Sequence, residues 1–229
     1  MTKLSLRLIL IAFPAALFTM TIPADAQVVY SSRSAFDTVN PGLTSFNFDN
    51  IAAIDGFADY SGENNTLALN GVSFSNPVKN GNATLSVISS GYYGSVGSPD
   101  YALGNSDFLQ VAGASPTTLN VALPSNTTAF GADFGTFENP GQVQVIVNGQ
   151  ALAALLITTD SNTGSFFGYT SLTPITTLSL VRQGNVALNA NNVEFGSAAA
   201  VPEVSSALSL SLLIGIGGAA CIGRRKKAV

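Results

Sequence analysis

The chain has 229 residues with no histidine, no tryptophan and one cysteine, and charged residues make up 10% of it, against about 25% in an average soluble domain. This excludes a His-based catalytic triad, a His zinc site, a Cys–His dyad and any disulfide within the chain. Between Gln27 and Ala200 only three basic residues (Arg33, Lys79, Arg182) stand against eleven acidic ones, so a nucleic-acid partner, which needs a basic patch, is not expected.

Met1 to Ala26 reads as a secretory signal peptide. Lys3 and Arg7 form a positive leader, Leu8 to Leu17 an apolar run, and Ala24-Asp25-Ala26 a small-x-small cleavage site. Gln27 is then the mature N-terminus. Arg33 to Val39 is the one helix expected in the domain beyond it, with Ser32 or Ser34 as its N-cap and Pro41-Gly42 as its stop.

From there to Phe195 nearly every segment has the period-two pattern of a strand between turn residues. Thr44 to Asp49 alternates with Phe46 and Phe48 on one face. Thr66 to Phe74 does so through Leu67, Leu69 and, after Gly71, Val72 and Phe74, and Thr84 to Ser89, Thr117 to Leu123 and Thr128 to Phe137 come next. Gln142 to Thr158 carries the clearest hairpin, because Asn148-Gly149 between two apolar runs suits a type I′ turn. Ser165 to Tyr169, Ile175 to Arg182 and Asn192 to Phe195 bring the expected total to about ten strands. Many short strands without a long amphipathic helix predict an all-β, two-sheet antiparallel sandwich of jelly-roll or lectin-like topology over residues 27–196. Residues 197–201 read as a linker.

The tail, residues 202–229, has a different chemistry. Ala207 to Ile222 is uncharged and rich in Leu, Ile, Gly and Ala, and Arg224, Arg225, Lys226 and Lys227 succeed it. That stretch makes about 24 Å of helix, or about 28 Å with Val204 to Ser206, against a hydrocarbon core of about 30 Å. A transmembrane helix is therefore expected, with the basic end as its cytoplasmic stop signal. The sandwich then lies on the far side of the membrane, in agreement with the signal peptide. Cys221 falls inside the apolar stretch, with no base to activate it.

Val201-Pro202-Glu203, the apolar helix and the terminal basic cluster together resemble the PEP-CTERM sorting signal of Gram-negative bacteria. Val204 stands where that family usually carries a second proline. The resemblance implies an exosortase, a membrane-embedded cysteine peptidase, as partner, and an association with exopolysaccharide. It also implies inner-membrane anchoring with the domain in the periplasm, then the cell surface or extracellular matrix after processing. The run from the Phe36 helix through Phe46-Asn47-Phe48-Asp49 and Gly71-Val72-Ser73-Phe74 to Asn192-Val193-Glu194-Phe195-Gly196 looks like the lectin-like or carbohydrate-binding passengers of such tails.

Two candidate sites emerge. Asp49, Asp55, Asp59 and Glu63 put four acids into one loop, the type of ligand calcium takes. In lectin-like sandwiches a structural calcium joins an early strand to the last, and Asp49 with Asn192 and Glu194 are the analogous residues here. Tyr92, Tyr93 and Tyr101 lie in a Gly-rich region near Asp100 and Asp107, the combination of aromatic faces and hydroxyl-reading groups that suits a glycan. No catalytic residue is assigned, because scattered carboxylates without a motif do not define a glycosidase pair. The leading reading is a non-enzymatic envelope or matrix protein, the second a carbohydrate-binding module of the same fold, and the third a polysaccharide hydrolase or lyase.

Overall fold

The computed structural model describes residues 27–61, 65–78, 83–96, 106–113, 115–136, 141–152, 155–157, 164–184 and 186–199. The signal peptide, the sorting motif, the apolar tail, its basic end, Glu63 and Tyr101 lie outside them. Among the described residues no helix is long and apolar enough to cross a membrane.

The elements run β1 (Val28–Tyr30), α1 (Arg33–Val39), β2 (Thr44–Phe46), β3 (Phe57–Asp59), β4 (Thr66–Leu69), β5 (Val72–Ser75), β6 (Thr84–Ile88), α2 (Tyr92–Ser95), β7 (Phe108–Ala112) and β8 (Thr117–Ala122). Then come β9 (Ala129–Thr136), β10 (Gly141–Val147), β11 (Gln150–Ala151), β12 (Leu155–Ile157), β13 (Ser165–Thr170), β14 (Thr177–Arg182) and β15 (Leu188–Gly196). They form two antiparallel sheets, an all-β sandwich as the periodicity predicts.

The first sheet has the order β1-β13-β9-β15-β7-β6-β3, and the second β11-β10-β14-β8-β5-β4. β15 is the organising strand of the first sheet. One of its edges pairs with β9, while the other takes β7 along Leu188 to Ala190 and β2 along Val193 to Phe195. The early and last strands therefore do adjoin.

Alternate residues of both sheets meet in one core. Phe130, Phe134, Phe167, Tyr169, Leu188 and Val193 come from the first sheet, and Phe74, Leu119, Val121, Val143, Val145 and Leu180 from the second. Each fully buried aliphatic or aromatic side chain contributes about 1.5–3 kcal/mol relative to exposure, so this shared interior holds the layers together without a disulfide.

The expected helix forms over Arg33–Val39. The Ser32 hydroxyl accepts from the Ala35 N–H, satisfying one of the donors left open in the first turn. The Asn148-Gly149 turn also forms, with φ of 48° and 80°.

Thr66 to Phe74, however, is two strands and not one. Asn70 and Gly71 take φ of 51° and 83°, and β4 folds back on β5 as a second hairpin of the same type. Three strands, β1, β3 and β7, lie outside the predicted segments. β1 and β3 are three-residue edges, and β7 is buried over Phe108 to Val111, so no polar alternation marks it.

Candidate functional site

The two helices cover parts of the outer face of the first sheet. α1 sets the fully buried Phe36 over β9 and β13, where it packs with Ala129 and Phe166. At the other end α2 sets Tyr92 and Tyr93 against Ile88 of β6 and Phe108 of β7. Outward polar residues lie between them: Gln110, Asn189, Asn191, Asp133 and Glu194. Gln110 Nε2 donates to Asn189 Oδ1 at 3.1 Å, and Asn191 Nδ2 to Ser106 Oγ at 2.7 Å. These buried amides satisfy one another or a hydroxyl, as buried polar groups must.

An open cavity of ≈ 410 Å³ lies at the α2 end, lined by Asp49, Asn50, Ile54, Asp55, Ser89, Ser90, Gly91, Ser106 and Asp107. Its carboxylates are oriented by the backbone. Asp107 accepts from the N–H groups of Ser90 (2.9 Å) and Asn50 (3.2 Å), and Asp49 accepts from the Asp107 N–H (3.0 Å) and from Asn47 Nδ2 (2.5 Å). Asn50 and Asp55 sit in the left-handed region, with φ of 64° and 54°, in the turns that shape the wall. Gly91 lets the Asp55 carboxylate lie close over its backbone, where a Cβ would make that side chain turn away.

Beside the cavity stands an apolar rim. Phe57, at the sheet edge, is 52% exposed and meets the Tyr92 ring edge-on at 5.5 Å, while Ile54 is 93% exposed. Tyr93 anchors the rim: its ring stacks on Phe108 at 6.5 Å and its hydroxyl bonds Gln110. Burial pushes its phenol above the ordinary value. The structure thus brings Tyr92 and Tyr93 together but gives them different work.

A second cavity, ≈ 510 Å³, opens at the α1 end, lined by Arg33, Ser45, Phe46, Asn47, Asn192 and Glu194. Here β15 bulges against β9 between Asn191 and Glu194, with Asn192 at φ 49°. Arg33 is held by several contacts. Its guanidinium pairs with Glu194, lies 3.1 Å from Asp133, donates to the Asn192 carbonyl at 2.8 Å and sits 4.7 Å above the Phe166 ring.

The calcium set divides accordingly. Asn192 and Glu194 come together, but the Glu194 carboxylate and the Asn192 carbonyl both serve a guanidinium, and Asp49 lines the other cavity. Asp59 turns to Ser61, whose hydroxyl and N–H hold its carboxyl below the usual range. Among the described residues no group of three or more His, Cys, Asp and Glu side chains is placed to hold a metal ion. Asp107, which the sequence places near the tyrosines, does line the cavity beside them, whereas Arg33, Asp133 and Phe57 are not marked as site residues by the sequence. The scarcity of basic residues is the one available signal for Arg33.

Glu194 has its carboxyl raised above the ordinary value, first by burial and then by the neighbouring Asp37, while Arg33 pulls the other way. A carboxyl raised in the folded state binds its proton earlier on folding. Stability is therefore gained as pH falls through the folded pKa toward the unfolded one. The wild type should gain on Glu194→Gln in urea midpoint as pH is lowered from neutral toward the ordinary Glu range. A wild type that instead loses ground to the variant over this interval would mean a lowered carboxyl.

No protein-family model matches the sequence, and no curated protein matches it. Among solved structures the chain is similar to a family 29 carbohydrate-binding module (15% identity, covering 70% of this chain and 99% of that one, TM-score 0.33). It is also similar to the K1 cleaved adhesin domain of Lys-gingipain from Porphyromonas gingivalis (12%, 69% and 99%, TM-score 0.36) and to an exo-beta-agarase (13%, 64% and 26%, TM-score 0.31). At TM-scores this low, the fold and the site rest on the chain's own geometry.

Proposed function

We propose that this is an exported, non-enzymatic surface or matrix protein whose lectin-like sandwich binds polysaccharide and whose C-terminal tail directs its sorting. One observation carries the binding role: the exposed rim of Phe57 and Tyr92 beside a cavity lined with carboxylates and serine hydroxyls. Aromatic faces cover the apolar side of a sugar ring, and acceptors fixed by backbone N–H groups read its hydroxyls. The signal peptide, the Val201-Pro202-Glu203 motif and the basic end support export, membrane anchoring and recognition by an exosortase-type peptidase.

The test is binding of the mature protein to the producing cells' own exopolysaccharide and to a glycan array. Phe57→Ala/Tyr92→Ala should weaken binding by about tenfold, the equivalent of ~1.4 kcal/mol, at a temperature where a melting curve shows the variant still folded. Undiminished binding by this variant would remove the rim from the site. Release of reducing sugar from the bound polymer would overturn the non-enzymatic reading.

A further inference from the structure

We propose that the cavity at the β15 bulge is a second sugar subsite, so that a linear, uncharged polysaccharide is held along its length across both cavities. This rests on the reading of the Phe57–Tyr92 rim as a polysaccharide site.

Four observations carry it. The bulge cavity, at ≈ 510 Å³, falls in the range of about 300–1,000 Å³ typical of small-ligand sites. Its lining mixes donors and acceptors without excess charge: Arg33 balances Glu194, Ser45, Asn47 and Asn192 are neutral, and the half-buried Phe46 supplies an apolar wall. That lining suits hydroxyl groups. A polyanion would be disfavoured, because the adjoining cavity presents Asp49, Asp55 and Asp107.

The cavity is also built in advance. Arg33 is fixed by Glu194, Asp133, the Asn192 carbonyl and the Phe166 ring. The bulge re-aims Asn192, whose Nδ2 donates to Asp133 Oδ2 at 2.8 Å; bulges recur where a strand must redirect a side chain beside a site. Preorganised groups lose little freedom when a ligand arrives.

Finally, the linings of the two cavities are linked by hydrogen bonds and by a short stretch of chain. Asn47 lines the bulge cavity and donates to Asp49, which lines the rim cavity; Ser106 of the rim cavity accepts from Asn191, the residue before Asn192. Between Asn47 and Asp49, the fully buried Phe48 pins the shared segment to the core. A chain lying on one cavity is thereby led toward the other, and binding at two linked subsites multiplies affinity without new contacts at either.

The experiment uses the mature protein and two probes cut from the producing cells' neutral exopolysaccharide by partial hydrolysis, the disaccharide and the hexasaccharide, titrated calorimetrically. The hexasaccharide should bind at least about tenfold tighter than the disaccharide. Two variants should bring that ratio to near one. Asn192→Gly removes the amide but keeps the left-handed backbone without strain, and Ser45→Ile fills the cavity from an exposed strand position. Melting curves confirm that each remains folded. A ratio unchanged in both folded variants, or a wild type that binds both lengths equally, overturns the second subsite while leaving the rim site intact. A wild type that binds neither length overturns the rim reading and the subsite together.

Discussion

Phe36→Ala should lower the stability of the sandwich by about 3–5 kcal/mol, the usual cost of emptying a buried aromatic position. Phe36 is fully buried and is the one buried residue of α1. Its ring meets Tyr30 at 5.5 Å and Phe166 at 5.5 Å. Beneath it lie Gly131 and Gly168, paired across β9 and β13, where an added Cβ would come within 2.9 Å and 2.7 Å of the ring. The sheet has given up two side chains to seat this one. A seven-residue helix is too short to persist alone, since isolated helices below about 12–15 residues are marginal in water.

Loss of the ring therefore removes more than its own area. α1 undocks and carries Arg33 away from Asp133 and Glu194, leaving two part-buried carboxylates without their guanidinium. Urea unfolding monitored by fluorescence or circular dichroism reads the effect as a fall in midpoint at constant slope. The effect is large against the roughly 5–15 kcal/mol that holds a typical domain together. Gly168→Val approaches the same seat from the sheet and should cost about 1–3 kcal/mol by overpacking. A Phe36→Ala protein within about 1 kcal/mol of wild type, well below the range for such a truncation, would show that the ring does not hold the helix.

The second large effect is expected at the tail. In a host carrying the sorting peptidase, wild-type protein should be recovered lacking both residues 1–26 and the apolar C-terminus. Pro202→Ala/Glu203→Ala should insert in the membrane but keep its tail, a loss of processing visible as a difference in intact mass. The apolar stretch and the basic end are untouched in that variant, so insertion does not change. Neutralising Arg224, Arg225, Lys226 and Lys227 should act differently, by impairing retention. Burial of Lys or Arg at the membrane centre costs about 2.5–3.5 kcal/mol each on insertion scales. Four such charges stop a short span from sliding through. Identical, uncleaved masses for wild type and the Pro-Glu variant would reject the sorting signal and leave a plain anchor.

Features that depend on neighbours along the chain are legible in the residues alone. The Arg33–Val39 helix is one, because its cap and stop lie within a turn of it, and the Asn148-Gly149 hairpin is another, because the turn and both flanks are contiguous. The sandwich class comes from period-two burial, a local pattern. The same Asn-Gly signal stands at Asn70-Gly71, where the apolar phase shifts from Leu67 and Leu69 to Val72 and Phe74, so this hairpin too is written in contiguous residues. The pairing of Leu67 with Phe74 is the register that this turn imposes.

Which distant groups meet is a matter of three-dimensional packing. Asp49 reaches Asp107 across 58 residues, and Arg33 reaches Glu194 across 161. Nothing in either neighbourhood announces its partner. Asn192 and Glu194 are recognisable as polar residues on the last strand. Whether their oxygens face a metal ion or a guanidinium depends on where α1 docks, and that is set by two glycines distant in sequence, of which Gly131 pairs directly with Glu194. Phe57 joins Tyr92 only because a three-residue edge strand pairs with β6. Sheet register is a property of pairs of segments, and a shift of one residue turns every side chain to the other face. The site is therefore settled by the packing of two layers against each other, through contacts that no single stretch of the chain contains.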